Sequence, residues 1–300
     1  MDVKGNEKDT APTGQGGRGA LSAEALKELT GSAFFGKASP EGFAAAWPGP
    51  GIRQKALEAA RNETAASREL SGFRSEKTGR TAFLCEASPE GTGVLALGSV
   101  RGTEFEPDEV VPVLPGAGKE CFVRGVRLHG NRSDGDAFLQ PEGSPRSFSV
   151  AVPGLDACRG ELARFGLKRF SLVATAARIV KLAGSGEKGA HSGAPGKAEA
   201  FAAPPDPELL RKATGILRDD SSFYVFRSPV KKIGNVELLG APLIRAEIVI
   251  SGNPGGENEV TVPLYFGSLA SGGAQIREGD LVAGVFWLFG FFGPAFPLGN

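Results

Sequence analysis

A mainly β fold, α+β in overall content, is what the sequence predicts, and three observations carry the prediction. The 300 residues include 44 glycines and 21 prolines, the residues that set tight turns. After Arg80 the apolar residues recur with a period of two in short runs bounded by Gly, Pro, Asp and Ser, the pattern of half-buried strands. The stretch LVAGVFWLFGFFGPAFPL, Leu281 to Leu298, carries no charge, as an enclosed strand with a docked tail would.

The elements follow in chain order. Residues 1–20, polar and Gly-rich, read as a disordered tail, without the apolar core of a secretory signal. Residues 21–182 read as a mixed domain of a few helices and many antiparallel strands. Ser22 can cap a short helix through Leu29, which Gly31 stops. A second helix, Ile52 to Leu70, has a thin stripe of Ile52, Ala56, Leu57, Ala60 and Leu70. Strands are expected at Phe83, Val94–Leu97, Val110–Leu114, Phe122–Leu128, Phe148–Val152 and Phe170–Val180. Leu155, Cys158, Leu162 and Phe165 fall at helical spacing, with Gly166 as the stop.

A local echo runs through this region. AFFGKASPEG from Ala33 and AFLCEASPEG from Ala82 share seven of ten positions, and AFLQPEG from Ala137 is a shortened copy. Pro-Glu-Gly presets one φ and frees another, so each copy reads as strand, turn, strand. Recurrent turn chemistry accounts for three short matches with drifting spacing better than a repeat array does.

Residues 183–207, small and polar with closing prolines, cannot bury enough apolar surface to order themselves and read as a flexible linker. Residues 208–300 read as a small β-barrel domain, OB- or SH3-like, with an aromatic C-terminal tail. Ala213–Leu217 and Ser222–Arg227 are short strands. Ile244–Ile250 and Glu259–Phe266 alternate cleanly around the loop SGNPGGEN and predict a hairpin. Pro263 has no ladder donor, which places its strand at an edge or a bulge. FVRGVRLHG from Phe122 and LVAGVFWLFG from Leu281 are faintly alike, which suggests that the two regions are related barrels.

Composition limits function. Lys plus Arg equal Asp plus Glu at 34 each, with 21 basic and 19 acidic residues in 21–182 and 8 and 9 in 208–300. No region has a field that would collect polyanions. Cys85, Cys121 and Cys158 are odd in number and far apart, so neither a disulfide framework nor a zinc site is expected, and a cytoplasmic location follows.

The stretch CFVRGVRLHGNRSDGD groups Cys121, His129, Asn131, Asp134 and Asp136. Cys121 and His129 stand about 26 Å apart on a strand, too far for a thiolate–imidazole pair. Asn131, Asp134 and Asp136 lack the spacing of a calcium loop. His191 lies in the linker. No catalytic residue, metal or cofactor is assigned, and a carboxylate or thiol enzyme is a remaining alternative.

The leading expectation is a non-catalytic binding or assembly protein. Trp287, Phe289, Phe291, Phe292 and Phe296 would anchor a protein partner or a second copy. The C-terminal run is not expected to enter a membrane, because Gly284, Gly290, Gly293, Pro294 and Pro297 interrupt it. The alternative is an OB-type single-stranded nucleic-acid binder. Its aromatic and basic candidates are Phe223, Tyr224, Phe226, Arg227, Lys231 and Lys232, with Arg124, Arg127 and Arg132 in the first region. Charge neutrality disfavours it.

Overall fold

The computed structural model describes residues 47, 50–63, 73–74, 80–85, 88, 90–101, 104–128, 135–162, 164, 166–182, 215–216, 222–252, 255–256 and 258–292. The expected tail (1–20), first helix, linker (183–207), Phe296, His129, Asn131, Arg132, Asp134 and His191 lie outside the described residues.

The described residues form two helices and fourteen strands. Helix α1 (Pro50–Glu63) is followed by β1 (Phe73–Arg74), β2 (Arg80–Cys85), β3 (Gly93–Arg101) and β4 (Glu104–Val113), which form an antiparallel sheet in that order. The chain continues through β5 (Ala117–Leu128), β6 (Gly135–Pro141), β7 (Phe148–Val152), α2 (Leu155–Leu162) and β8 (Leu167–Lys181). Past residue 182 come β9 (Gly215–Ile216), β10 (Phe223–Pro229), β11 (Lys232–Leu238), β12 (Ala241–Ser251), β13 (Val260–Phe266) and β14 (Leu281–Phe292).

Strands β5 to β14 share one sheet in the order β11-β12-β13-β8-β5-β6-β7-β14-β10-β9, and β8 also pairs with β14. That extra pairing closes β5, β6, β7, β14 and β8 into a five-stranded barrel. Its ring order, numbered along the chain, is first, second, third, fifth, fourth, with α2 between the third and fourth strands. The third and fifth strands, β7 and β14, run parallel.

β8 and β14 are long enough to serve two groups. Residues 167–172 of β8 pair with β5, whereas Ala174 and Thr175 pair with β13. Residues 281–287 of β14 pair with β10, and Phe289 meets Ala151 of β7. Near the end of β10 the Ser228 hydroxyl accepts from the Val249 N–H of β12 at 2.8 Å, bringing β10 round to β12. The C-terminal strands β10 to β13 are thus joined to the second half of β8 and to β14.

This corrects the placement of the barrel: the closed ring uses four strands from the first region and one from the second. Strands on either side of 183–207 are direct hydrogen-bonded neighbours. Pro263 also sits differently, since β13 lies between β12 and β8. The missing N–H costs nothing in the β8 ladder, because that pairing involves only Leu264 and Tyr265.

Alternation along the strands separates two cores. Val282, Phe286, Leu288 and Phe292 of β14 face the barrel interior with Phe170, Leu172, Val150 and Leu139. Ala283, Val285, Trp287, Phe289 and Phe291 face the second core with Leu95, Leu97, Val111 and Val113 of the four-stranded sheet. Ala56 and Ala60 of α1 are fully buried in that second core, whose small side chains let the helix approach closely. Trp47 adds a hydrogen bond from its indole nitrogen to Val110 O at 3.1 Å.

The turn readings hold where they can be seen. The glycines that close two of the Pro-Glu-Gly copies are left-handed, Gly91 (φ 81°) and Gly143 (φ 75°). The β12–β13 hairpin carries Gly252 and Gly255 at positive φ. α1 is described over Pro50–Glu63, with 64–70 of the expected helix outside the described residues, and α2 spans Leu155–Leu162.

Candidate functional site

The expected aromatic anchor is interior. Trp287 and Phe289 stack at 5.1 Å between ring centres, and Phe289 meets Phe291 edge-on at 5.8 Å. Phe292 packs on Phe170 at 5.3 Å inside the barrel. All four are buried, because β14 pairs on both edges and carries a core on each face. In this arrangement they offer a partner no surface.

Most of the aromatic members of the second expected set are interior too. Tyr224 and Phe226 pack against Phe286 at 5.5 and 5.3 Å. The Tyr224 hydroxyl donates to Ser149 O at 2.8 Å and accepts from Ser149 N–H at 2.7 Å, and burial pushes its pKa up. Phe223 pairs through its backbone with Trp287. Arg227, Lys231 and Lys232 are exposed, with Lys231 ion-paired to Glu259. Strand alternation separates these cations from the buried rings, so no basic-aromatic groove forms there.

The residues of CFVRGVRLHGNRSDGD part in the same way. Cys121 is fully buried in the barrel, its Sγ 3.7 Å from Lys119 O. Burial, then the Glu120 carboxylate, push its pKa up to about 12, so it stays a thiol. Asp136 is buried, bound by Arg127 at 2.8 Å and by the Ser222 hydroxyl at 2.9 Å. It acts as a tie between β6 and the segment entering β10.

What these strands do present is an open outer face on the barrel. Cys121 and Val123 point inward, and the β5–β6 register then shifts between Val123 and Gly125. Arg124 is the extra residue of this bulge, which re-aims the strand so that Val126 and Leu128 face the core and Arg127 faces out. On β6, Ala137 and Leu139 point in while Phe138 and Gln140 point out. On β8, Phe170 and Leu172 point in, leaving Leu167 and Arg169 outside.

Phe122 is the centre of that face. Its neighbours in register are Gln140 on β6 and Leu167 on β8. Phe122 is 38% exposed and Leu167 is 44% exposed, an adjacent apolar pair left open to water. The Arg124 guanidinium carbon lies 5.3 Å from the Phe122 ring centre, and that of Arg127 lies 5.7 Å from the Phe138 ring centre. The charge of Arg127 is offset by Asp136. Arg124 hydrogen-bonds a neutral amide, Gln140, which leaves its charge in place.

Sequence reasoning named Arg124 and Arg127 but missed Phe122, Phe138 and Leu167. Alternation shows that Phe122 and Val123 face opposite ways but not which face is covered. The one available signal was the Phe-x-Arg spacing, which places Phe122 and Arg124 near each other on any extended strand.

Two open concavities lie elsewhere. One, of about 480 Å³, is lined by Gly160, Glu161, Arg164 and Lys168. The other, of about 550 Å³, is bordered by the 268–277 loop and β11. Among the described residues no helix is long and apolar enough to cross a membrane. No family model, no curated protein and no solved structure matches this chain.

Proposed function

We propose that the protein is a non-catalytic binding protein, and that its ligand is single-stranded nucleic acid held on the outer face of β5 and β6. The single observation that carries this reading is the open Phe122 side chain with Leu167 on one side and Arg124 on the other. Exposed rings beside arginines suit unpaired bases, which bring an apolar face and a phosphate together.

The ring order of the barrel agrees with it. A five-stranded Greek-key barrel is the plan of the OB fold, which binds oligonucleotides on its outer face around the second and third strands. Here the third strand, β7, is occupied: Ser149 binds Tyr224 and Ala151 belongs to the second core. The open area is accordingly displaced to the first and second strands. Among the described residues no disulfide joins Cys85, Cys121 and Cys158, which suits a reducing compartment and a cytoplasmic location.

Fluorescence anisotropy with labelled single-stranded DNA and RNA oligonucleotides tests the reading. Binding should weaken with salt at a slope of about −0.7 per phosphate contacted. Phe122→Ala should lower affinity by about 5- to 100-fold, the worth of one stacked base. Absence of binding at low ionic strength would overturn the proposal.

A further inference from the structure

We infer that Gln140 sets the Arg124 guanidinium as a flat stacking surface beside Phe122, so that the site takes bases by their faces whatever their sequence. The inference rests on the nucleic-acid reading above and specifies how that site recognises its ligand.

The Gln140 side chain is used at both ends. Its amide oxygen accepts from Arg124 Nε at 2.9 Å and from Arg124 Nη2 at 2.5 Å. Its amide nitrogen donates to Ser144 O at 2.7 Å. That donor fixes the amide orientation, since a carbonyl oxygen can only accept. Ser144 is itself held: its hydroxyl lies 3.0 Å from that of Ser251 on β12 and 3.1 Å from the Arg146 amide nitrogen. A chain of hydrogen bonds thus runs from the body of the sheet to an exposed arginine.

Two N–H groups on one edge of the guanidinium bind the same oxygen, which restrains the plane as well as the position of the charge. An exposed arginine without such a tie samples many rotamers and loses that freedom on binding. Here the cost is met in the folded protein before a ligand arrives. The outer edge of the guanidinium remains available to a phosphate.

Lysine at this position keeps the charge but has neither a plane nor a fork for Gln140. Arg124→Lys and Gln140→Leu should therefore each lower affinity for a dT 12-mer by about three- to tenfold. Both should leave the salt slope unchanged, because the number of phosphates contacted is the same. The Arg124→Lys/Gln140→Leu double variant should bind no worse than the weaker single variant, since both remove one device. The wild-type protein should bind dT, dC and mixed 12-mers within about fivefold of one another.

Wild-type affinity in Arg124→Lys would show that charge alone suffices and overturn the inference. So would losses that multiply in the double variant, or tenfold discrimination between 12-mers by the wild-type protein. If the wild-type protein binds no oligonucleotide, the nucleic-acid reading itself falls, a result distinct from these. Circular dichroism melting of each variant separates misfolding from lost binding.

Discussion

Gly284 has no room for a side chain: a Cβ there would sit 2.0 Å from the Arg178 carbonyl oxygen. Gly284→Ala must push β8 and β14 apart and should cost about 1–3 kcal/mol, read as a lower midpoint of urea unfolding. Tyr224 makes a comparable commitment through its hydroxyl, which both donates to and accepts from the Ser149 backbone. Tyr224→Phe leaves a buried N–H and a buried carbonyl unmatched and should cost about 1–3 kcal/mol by the same measurement. Trp287 and Phe289 were legible in the sequence as part of an enclosed strand, but not which element encloses them. A run of aromatic residues looks the same whether a partner or the chain's own second sheet lies over it. Phe122 was the converse case, a residue that reads as core and stands open.

At the scale of the element, strand positions were legible and strand partners were not. The segments Phe148–Val152, Ile244–Ile250 and Leu281 onward all became strands, because alternation and turn residues are local signals. Pairing depends on contacts far apart in sequence, such as Val282 with Lys181, for which no local pattern exists. The start of β14 illustrates how such a pairing is held. Asp280 accepts from Lys181 Nζ at 2.8 Å and from the Arg277 N–H at 2.8 Å. The Lys181 hydrogen bond, followed by that of Arg277, holds the Asp280 carboxyl below its ordinary value of 3.8. A depressed carboxyl contributes stability that is present above the unfolded value and is lost as pH falls through the folded one. Asp280→Asn should thus lower stability at pH 7 by less than about 1 kcal/mol. The gap from the wild-type protein should close toward pH 3 in parallel urea titrations.

For the whole molecule, the consequential fact is that strands from both sides of 183–207 build one sheet. Cleavage within 183–207 should leave two fragments that co-elute on size exclusion and separate only in denaturant. Fragments that part under native conditions would contradict the shared sheet. Thermal unfolding followed by tryptophan fluorescence and by far-ultraviolet dichroism should give coincident curves, because Trp47 and Trp287 belong to one core. The sequence suggested a boundary because composition changes sharply there, and composition reports what a segment cannot bury, not which flanking strands come together.

The barrel's last strand also dictates a schedule for the cell. On a ribosome, β8 emerges about a hundred residues ahead of β14, and at about 5–20 residues per second that is an interval of about 5–20 seconds. Throughout it, β7 and β8 have no shared neighbour to close the ring, and the apolar side chains of Val150, Phe170 and Leu172 await the strand that seals them. Until translation passes Phe292 the ring of five strands stays open.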